Sequence, residues 1–83
     1  MRHARPEDLT QIEPLLARVR QLGGMIERKP GTFYRKRDAI LHFHTDGEAF
    51  AADVKVGGEW QRFPATTPTE QADLLGILAA ALD

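Results

Sequence analysis

Residues 39–64 read AILHFHTDGEAFAADVKVGGEWQRFP, and this stretch decides the fold. Two runs alternate apolar and polar positions, Leu41-His42-Phe43-His44 and Phe50 to Val56. A period of two is the mark of a half-buried strand. Asp46-Gly47 lies between the runs, and Asp-Gly is a strong hairpin signal because both positions accept positive φ. A two-residue loop there opposes Phe43 to Phe50, Leu41 to Ala52 and Ala39 to Val54. With Val56 these residues form the expected core face. The opposite face then carries Ile40, His42, His44, Asp53 and Lys55, with Asp53 diagonal to His42. Gly57-Gly58 makes a second tight turn into a strand at Glu59 to Pro64. As a two-residue loop it opposes Asp53 to Arg62 and Lys55 to Trp60 and leaves Phe63 in the core. A three-residue loop would send Trp60 inward instead.

Outward from this hairpin, Met25 to Arg28 and Thr32 to Arg35 read as shorter strands. Pro30-Gly31 forms the turn between them, and Lys36-Arg37-Asp38 is a polar turn. The meander therefore spans 25–64. Before it, Leu9, Ile12, Leu15, Leu16, Val19 and Leu22 recur at three- and four-residue spacing, which predicts an amphipathic helix. Pro14 is tolerated only in a first turn, so the helix is expected over 11–23, ending at Gly23-Gly24. Residues 1–10 are expected as a partly ordered lead-in, with His3 a mobile terminal residue. After the meander, Thr67-Pro68-Thr69-Glu70 has the form of a capping box with proline at the first helical position. Leu74, Leu75, Ile77, Leu78, Ala81 and Leu82 give this helix, 67–83, its apolar face. The expected architecture is α+β in two layers: helix, antiparallel β-meander of four to five strands, helix, with both helices on one sheet face. It forms a single domain, 1–83.

Composition bounds the function classes. A chain of 83 residues with 42% apolar and 28% charged residues is an ordinary globular mixture. Such a domain buries only about 60% of the surface its unfolded chain exposes. It has no cysteine, so neither a disulfide nor thiol chemistry is available. A homodimer, through the exposed sheet face or an edge strand, is one remedy for so thin a core. No apolar run approaches the ~18 residues of a membrane span, and the charged residues 2–8 precede no apolar run, so no signal peptide is expected. The expectation is a bacterial-type cytoplasmic protein that needs no cofactor. Net charge is −1, yet residues 1–47 carry +3 and residues 48–83 carry −4. The basic excess gathers at Arg28, Lys29, Arg35, Lys36 and Arg37. With Phe33 and Tyr34 interleaved it is a candidate nucleic-acid surface. The acidic second half and the near-neutral pI favour a solvated hairpin tip instead.

The sharpest constellation is His42, His44 and Asp53. His-x-His on a strand puts both imidazoles on one face, about 7 Å apart in Cα. With a neighbouring carboxylate they are a candidate site for a divalent metal with an open position. The competing reading makes both histidines surface or interface side chains and pairs Asp53 with Arg62. Asp46, Glu48 and Asp53 lack the run of oxygen ligands of a calcium loop. General acid–base chemistry by His42 or His44 lacks an adjacent nucleophile, because Thr45, Thr66, Thr67 and Thr69 fall in turn or capping positions. Neither glycine pair has phosphate-loop spacing.

Over residues 12–82 the run Pro30-Gly31-Thr32-Phe33-Tyr34-Arg35, then Leu41-His42-Phe43-His44, Ala52-Asp53-Val54 and Thr67-x-x-Glu70 resembles a family of small uncharacterised bacterial α+β proteins. A looser similarity is to small bacterial "luciferase-family" domains, whose name implies no light chemistry here. Neither resemblance supplies a catalytic residue. Three function classes follow, in order of expectation. The first is a non-enzymatic protein-interaction or ligand-binding domain using Ile40, His42, His44, Lys55 and Trp60. The second is a metal- or small-ligand-dependent enzyme using His42, His44 and Asp53. The third is a nucleic-acid-binding adaptor.

Overall fold

The alternation of residues 38–64 resolves into three long strands. In the computed structural model, which describes all residues from Met1 to Asp83, these are β4 (Asp38–Thr45), β5 (Phe50–Val56) and β6 (Glu59–Pro64). They follow the shorter β2 (Ile26–Lys29) and β3 (Thr32–Arg35), and neighbours pair antiparallel in the order β2-β3-β4-β5-β6. A two-residue strand, β1 (Arg2–His3), pairs with the far end of β4 on the side that β3 leaves free. The helical elements are α1 (Pro6–Leu9), a 3-10 turn at Thr10–Ile12, α2 (Glu13–Gln21) and α3 (Pro68–Leu82).

One face of the sheet holds the core. Leu15, Leu16 and Val19 of α2 and Leu74 and Leu78 of α3 pack with Phe33, Leu41, Phe43, Phe50, Ala52 and Val54. This is the expected α+β arrangement, with the alternating apolar positions of the meander covered by the terminal helices. Pro14 sits in the first turn of α2, where its missing N–H is harmless. Thr67 caps α3 as read: its hydroxyl accepts from the Glu70 N–H at 3.1 Å, and Glu70 Oε1 accepts from the Thr67 N–H at 3.0 Å. No helix is long and apolar enough to cross a membrane.

Three expectations are corrected. Residues 1–10 are more than a partly ordered lead-in: the short turn at 6–9 precedes the main helix, and the segment before it is bonded to the sheet. The Ala4 N–H donates to the Phe43 carbonyl at 3.0 Å. The Asp8 carboxylate accepts from the Arg2 guanidinium and, at 2.8 Å, from the Arg5 N–H. These bonds fasten β1 beside β4 and start α1, so His3 is placed against the sheet.

The Asp46-Gly47 loop holds four residues rather than two. Observed partners are Thr45↔Phe50, Phe43↔Ala52, His42↔Asp53 and Leu41↔Val54. Asp46 Oδ1 accepts from the N–H groups of Glu48 and Ala49 at 2.9 and 2.8 Å. The Thr45 hydroxyl donates to the Ala49 carbonyl and accepts from the Gly47 N–H. Side-chain capping of the turn thus wins over the two-residue hairpin geometry. The slip is two residues, so every side chain keeps its face. At the other turn Val56 opposes Glu59, and Lys55↔Trp60 and Asp53↔Arg62 stand as expected for a two-residue Gly57-Gly58 loop.

The third correction lies at the start of β4. Phe33 pairs with Leu41 but Tyr34 with Ala39, so Ile40 is an extra residue, a β-bulge. A bulge reverses the alternation before it. Ile40 accordingly lines a hollow with Val54, Leu78 and Leu82 on the helix side. Ala39, expected in the core, instead lines a groove with Tyr34 and His42.

Candidate functional site: the histidine face

The sheet face away from α2 and α3 has no helix over it, yet part of it is buried. Four rings do the covering. His44 is 7% exposed. Its imidazole lies 4.3 Å, centroid to centroid, from that of His3 and 5.0 Å from that of His42. The Trp60 indole sits 4.6 Å from His42. Each ring is placed by pairing: His3 opposes His44 across β1 and β4, and His42 is two residues along the same strand. Ala51, opposite His44, presents only a methyl beside it.

Asp53 opposes His42 directly and organises the charge. Arg62 holds it with a fork, Nε donating to Oδ1 at 2.8 Å and Nη2 to Oδ2 at 3.1 Å. That pairing holds the Asp53 carboxyl below its usual range. Its Oδ2 lies 3.3 Å from His44 Nδ1 and 3.9 Å from His42 Nδ1. Both Nδ1 atoms are buried without a hydrogen-bond partner. Burial pushes the two imidazoles below the ordinary histidine value and outweighs the opposing pull of Asp53. Near neutral pH each is an uncharged ring with a free lone pair.

The structure brings His42, His44 and Asp53 together, as the strand pattern predicts. It adds His3, whose ligand atom lies within 4.8 Å of those of His42 and His44. The three histidines of the chain are all in this cluster. Asp53 is not the third member of that set; it faces the Nδ1 sides of the rings and is already held by Arg62.

The partner-binding set is divided. His42, Lys55 and Trp60 sit together: Trp60 is 44% exposed, and the Lys55 ammonium lies 5.8 Å from its ring centroid. His44 is too buried to offer contact area, and Ile40 has moved to the helix side. The basic residues fall at two ends of the β2–β3 hairpin. Arg28 and Lys29 lie at one end of the β2–β3 hairpin, with the Arg28 guanidinium 5.0 Å from the Tyr34 ring centroid. Arg35, Lys36 and Arg37 lie at the opposite end of β3, about 10 Å away by strand rise. The Arg35 guanidinium there reaches the Ala81 carbonyl of α3.

Beside the cluster runs a groove of about 660 Å³ between the β1–α1 segment and the β2–β3 hairpin. His3, His42 and Trp60 line one part, and Tyr34, Lys29 and Pro30 another. Gly31 forms wall with its backbone: at φ +75° an added Cβ would come within 2.9 Å of Leu9 Cδ1. No family model, curated protein or solved structure matches the chain.

Proposed function

We propose that this domain binds a small, planar, partly apolar molecule in the groove between β1 and the β2–β3 hairpin, and that it does so without catalysing a reaction. The reading is carried by the convergence of Trp60, Tyr34 and His42 on one concavity. Ligand sites typically occupy about 300–1,000 Å³, with apolar walls and a few fixed polar groups. Here Pro6, Pro30, Tyr34 and Trp60 supply the walls, while His3 and His42 can bond a polar edge. Lys29 at the rim suits a carboxylate. The non-catalytic part is supported by the hydroxyls. Those of Thr45, Thr66 and Thr67 are each committed to backbone bonds in turns or caps, which removes these three as nucleophiles.

The test is a set of aromatic carboxylates titrated into isotope-labelled protein and followed by amide and indole NMR shifts. Changes should concentrate at Tyr34, Ala39, His42 and Trp60 and weaken in Tyr34→Ser. Absent shifts, or shifts scattered over α3, reject the reading.

A second reading, a homodimer, is favoured by β6. It is an edge strand exposed along most of its length and carries the exposed Trp60. Pairing of two such edges would extend the sheet. Light scattering should then show a dimer that Trp60→Ser shifts toward monomer. A wild-type protein that stays monomeric at high micromolar concentration rejects it.

A further inference from the structure

We propose that His3, His42 and His44 together bind one divalent transition-metal ion of the zinc class. The site stands on observations separate from the groove's ligand. The first is geometric. One ligand atom from each ring lies within 4.8 Å of the other two. A tetrahedral ion with Zn–N bonds of about 2.0–2.1 Å separates its ligands by roughly 3.4 Å. The rings therefore close by up to about 1.4 Å, which side-chain rotation can supply, most easily at the exposed His3.

The second observation is the pair of buried, unpartnered Nδ1 atoms on His42 and His44. A stack formed only to cover surface gives no reason to bury two polar atoms unbonded. Both atoms face the same carboxylate oxygen, Asp53 Oδ2. A carboxylate on the Nδ1 side favours the tautomer with its proton on Nδ1 and its lone pair on Nε2. Outer-shell carboxylates orient metal-binding histidines in this way. Arg62 fixes Asp53 in turn through its two-pronged bond.

Ligand chemistry sets the class of ion. Three imidazoles, with the one adjacent carboxylate already held by Arg62, suit zinc, nickel, cobalt or copper(II) and disfavour magnesium and calcium. Three protein ligands leave a fourth position free. Because His3 and His42 also line the groove, a molecule in the groove can reach that position.

The test uses untagged protein stripped of metal by a chelator and titrated with zinc sulfate by calorimetry. One zinc per chain is expected, with no heat from calcium or magnesium. On zinc binding, imidazole nitrogen shifts should mark Nε2 of His42 and His44 as coordinated and Nδ1 as protonated. His3→Ala should leave the circular dichroism and the melt of the metal-free protein unchanged. It should weaken zinc binding by more than the roughly 10–100-fold that loss of an outer-shell partner brings. Asp53→Asn should fall within that range. His44→Ala removes a buried ring and so disturbs packing, and the His3 variant decides. Zinc that fails to bind at hundreds of micromolar, or that binds His3→Ala as tightly as wild type, overturns the site. Tyr34→Ser, which alters the groove but none of the three imidazoles, should bind zinc normally. Absent zinc binding with aromatic carboxylates still mapping to the groove would remove the metal and leave the ligand reading intact.

Discussion

The two faces of β4 differ in what fills them. On one, Leu41 and Phe43 are almost fully buried in the core with α2 and α3, and the buried Thr45 is hydrogen-bonded within its turn. On the other, His44 is buried and His42 half-buried largely by stacked rings, with two polar nitrogens unsatisfied. The same eight-residue strand therefore serves two ends. Its helix side holds the domain together, and its outer side keeps two imidazole nitrogens unbonded, a state that packing alone does not favour. Such a division is expected where a site departs from the rules that stabilise the rest of a fold.

The largest test of this contrast is Phe43→Ala. Truncating a core aromatic costs about 3–5 kcal/mol, which is most of the stability of a small domain. A urea melt should show the variant largely unfolded. A loss below about 1 kcal/mol would mean that the helix side is not the stabilising one.

Next comes Thr67→Ala, which removes the hydroxyl that caps α3 and so loosens the cover on that face. About 1 kcal/mol should be lost. An unchanged melt would pass the capping role to Glu70 Oε1, which also accepts from the Thr66 and Thr67 N–H groups.

A third test reaches the outer face through its anchor. Asp8 is held down to about 2 by the Arg2 guanidinium and the Arg5 N–H. A carboxyl whose folded value is depressed stabilises the fold above its unfolded value, near 3.8, and loses that contribution as pH falls toward 2. Wild type should therefore melt higher than Asp8→Asn at pH 7, and the gap should shrink from about pH 4 downward. A gap that persists at pH 2 would show that the bonds of Asp8 do not depend on its charge.

The smallest effect belongs to His42→Leu. It removes a buried, unbonded nitrogen and keeps an apolar body, so stability should change by less than about 1 kcal/mol, with a gain the favoured sign. A loss approaching that of Phe43→Ala would erase the distinction between the faces.

Sequence legibility followed the same division. The helix side was readable because alternation at Leu41, Phe43, Ala52 and Val54 and the Thr67–Glu70 box are local signals. The Asp46 loop was misread by two residues, since a carboxylate bonding its own turn leaves no trace in periodicity. The face assignment survived because two is the strand period. Ile40 and Ala39 were placed on the wrong faces, because a bulge follows from how β3 meets β4 rather than from residue type. The strand period is enough to place His42, His44 and Asp53 on one face. His3 could not be placed there, because a two-residue strand is too short to show a pattern. What could have pointed to it was the count of three histidines, two of them already on one face.

β1 is also the most distant partner the sheet recruits. Its pairing joins residues 2–3 to 44–45, whereas β2 through β6 each meet a sequence neighbour across a short turn. Closing a long loop has to be done before its contacts return any free energy. The meander and its helices can therefore assemble first, and His3 docks as a late event. The same strand is the natural first to detach in native-state fluctuations, which expose segments with few bonds before the core. Amide exchange near Ala4 should then outpace that of β4 and β5, and the imidazole trio should exist as an equilibrium between closed and open forms. Any occupant that needs all three rings would shift that balance toward the closed form, and so tie its own residence time to the docking of two residues.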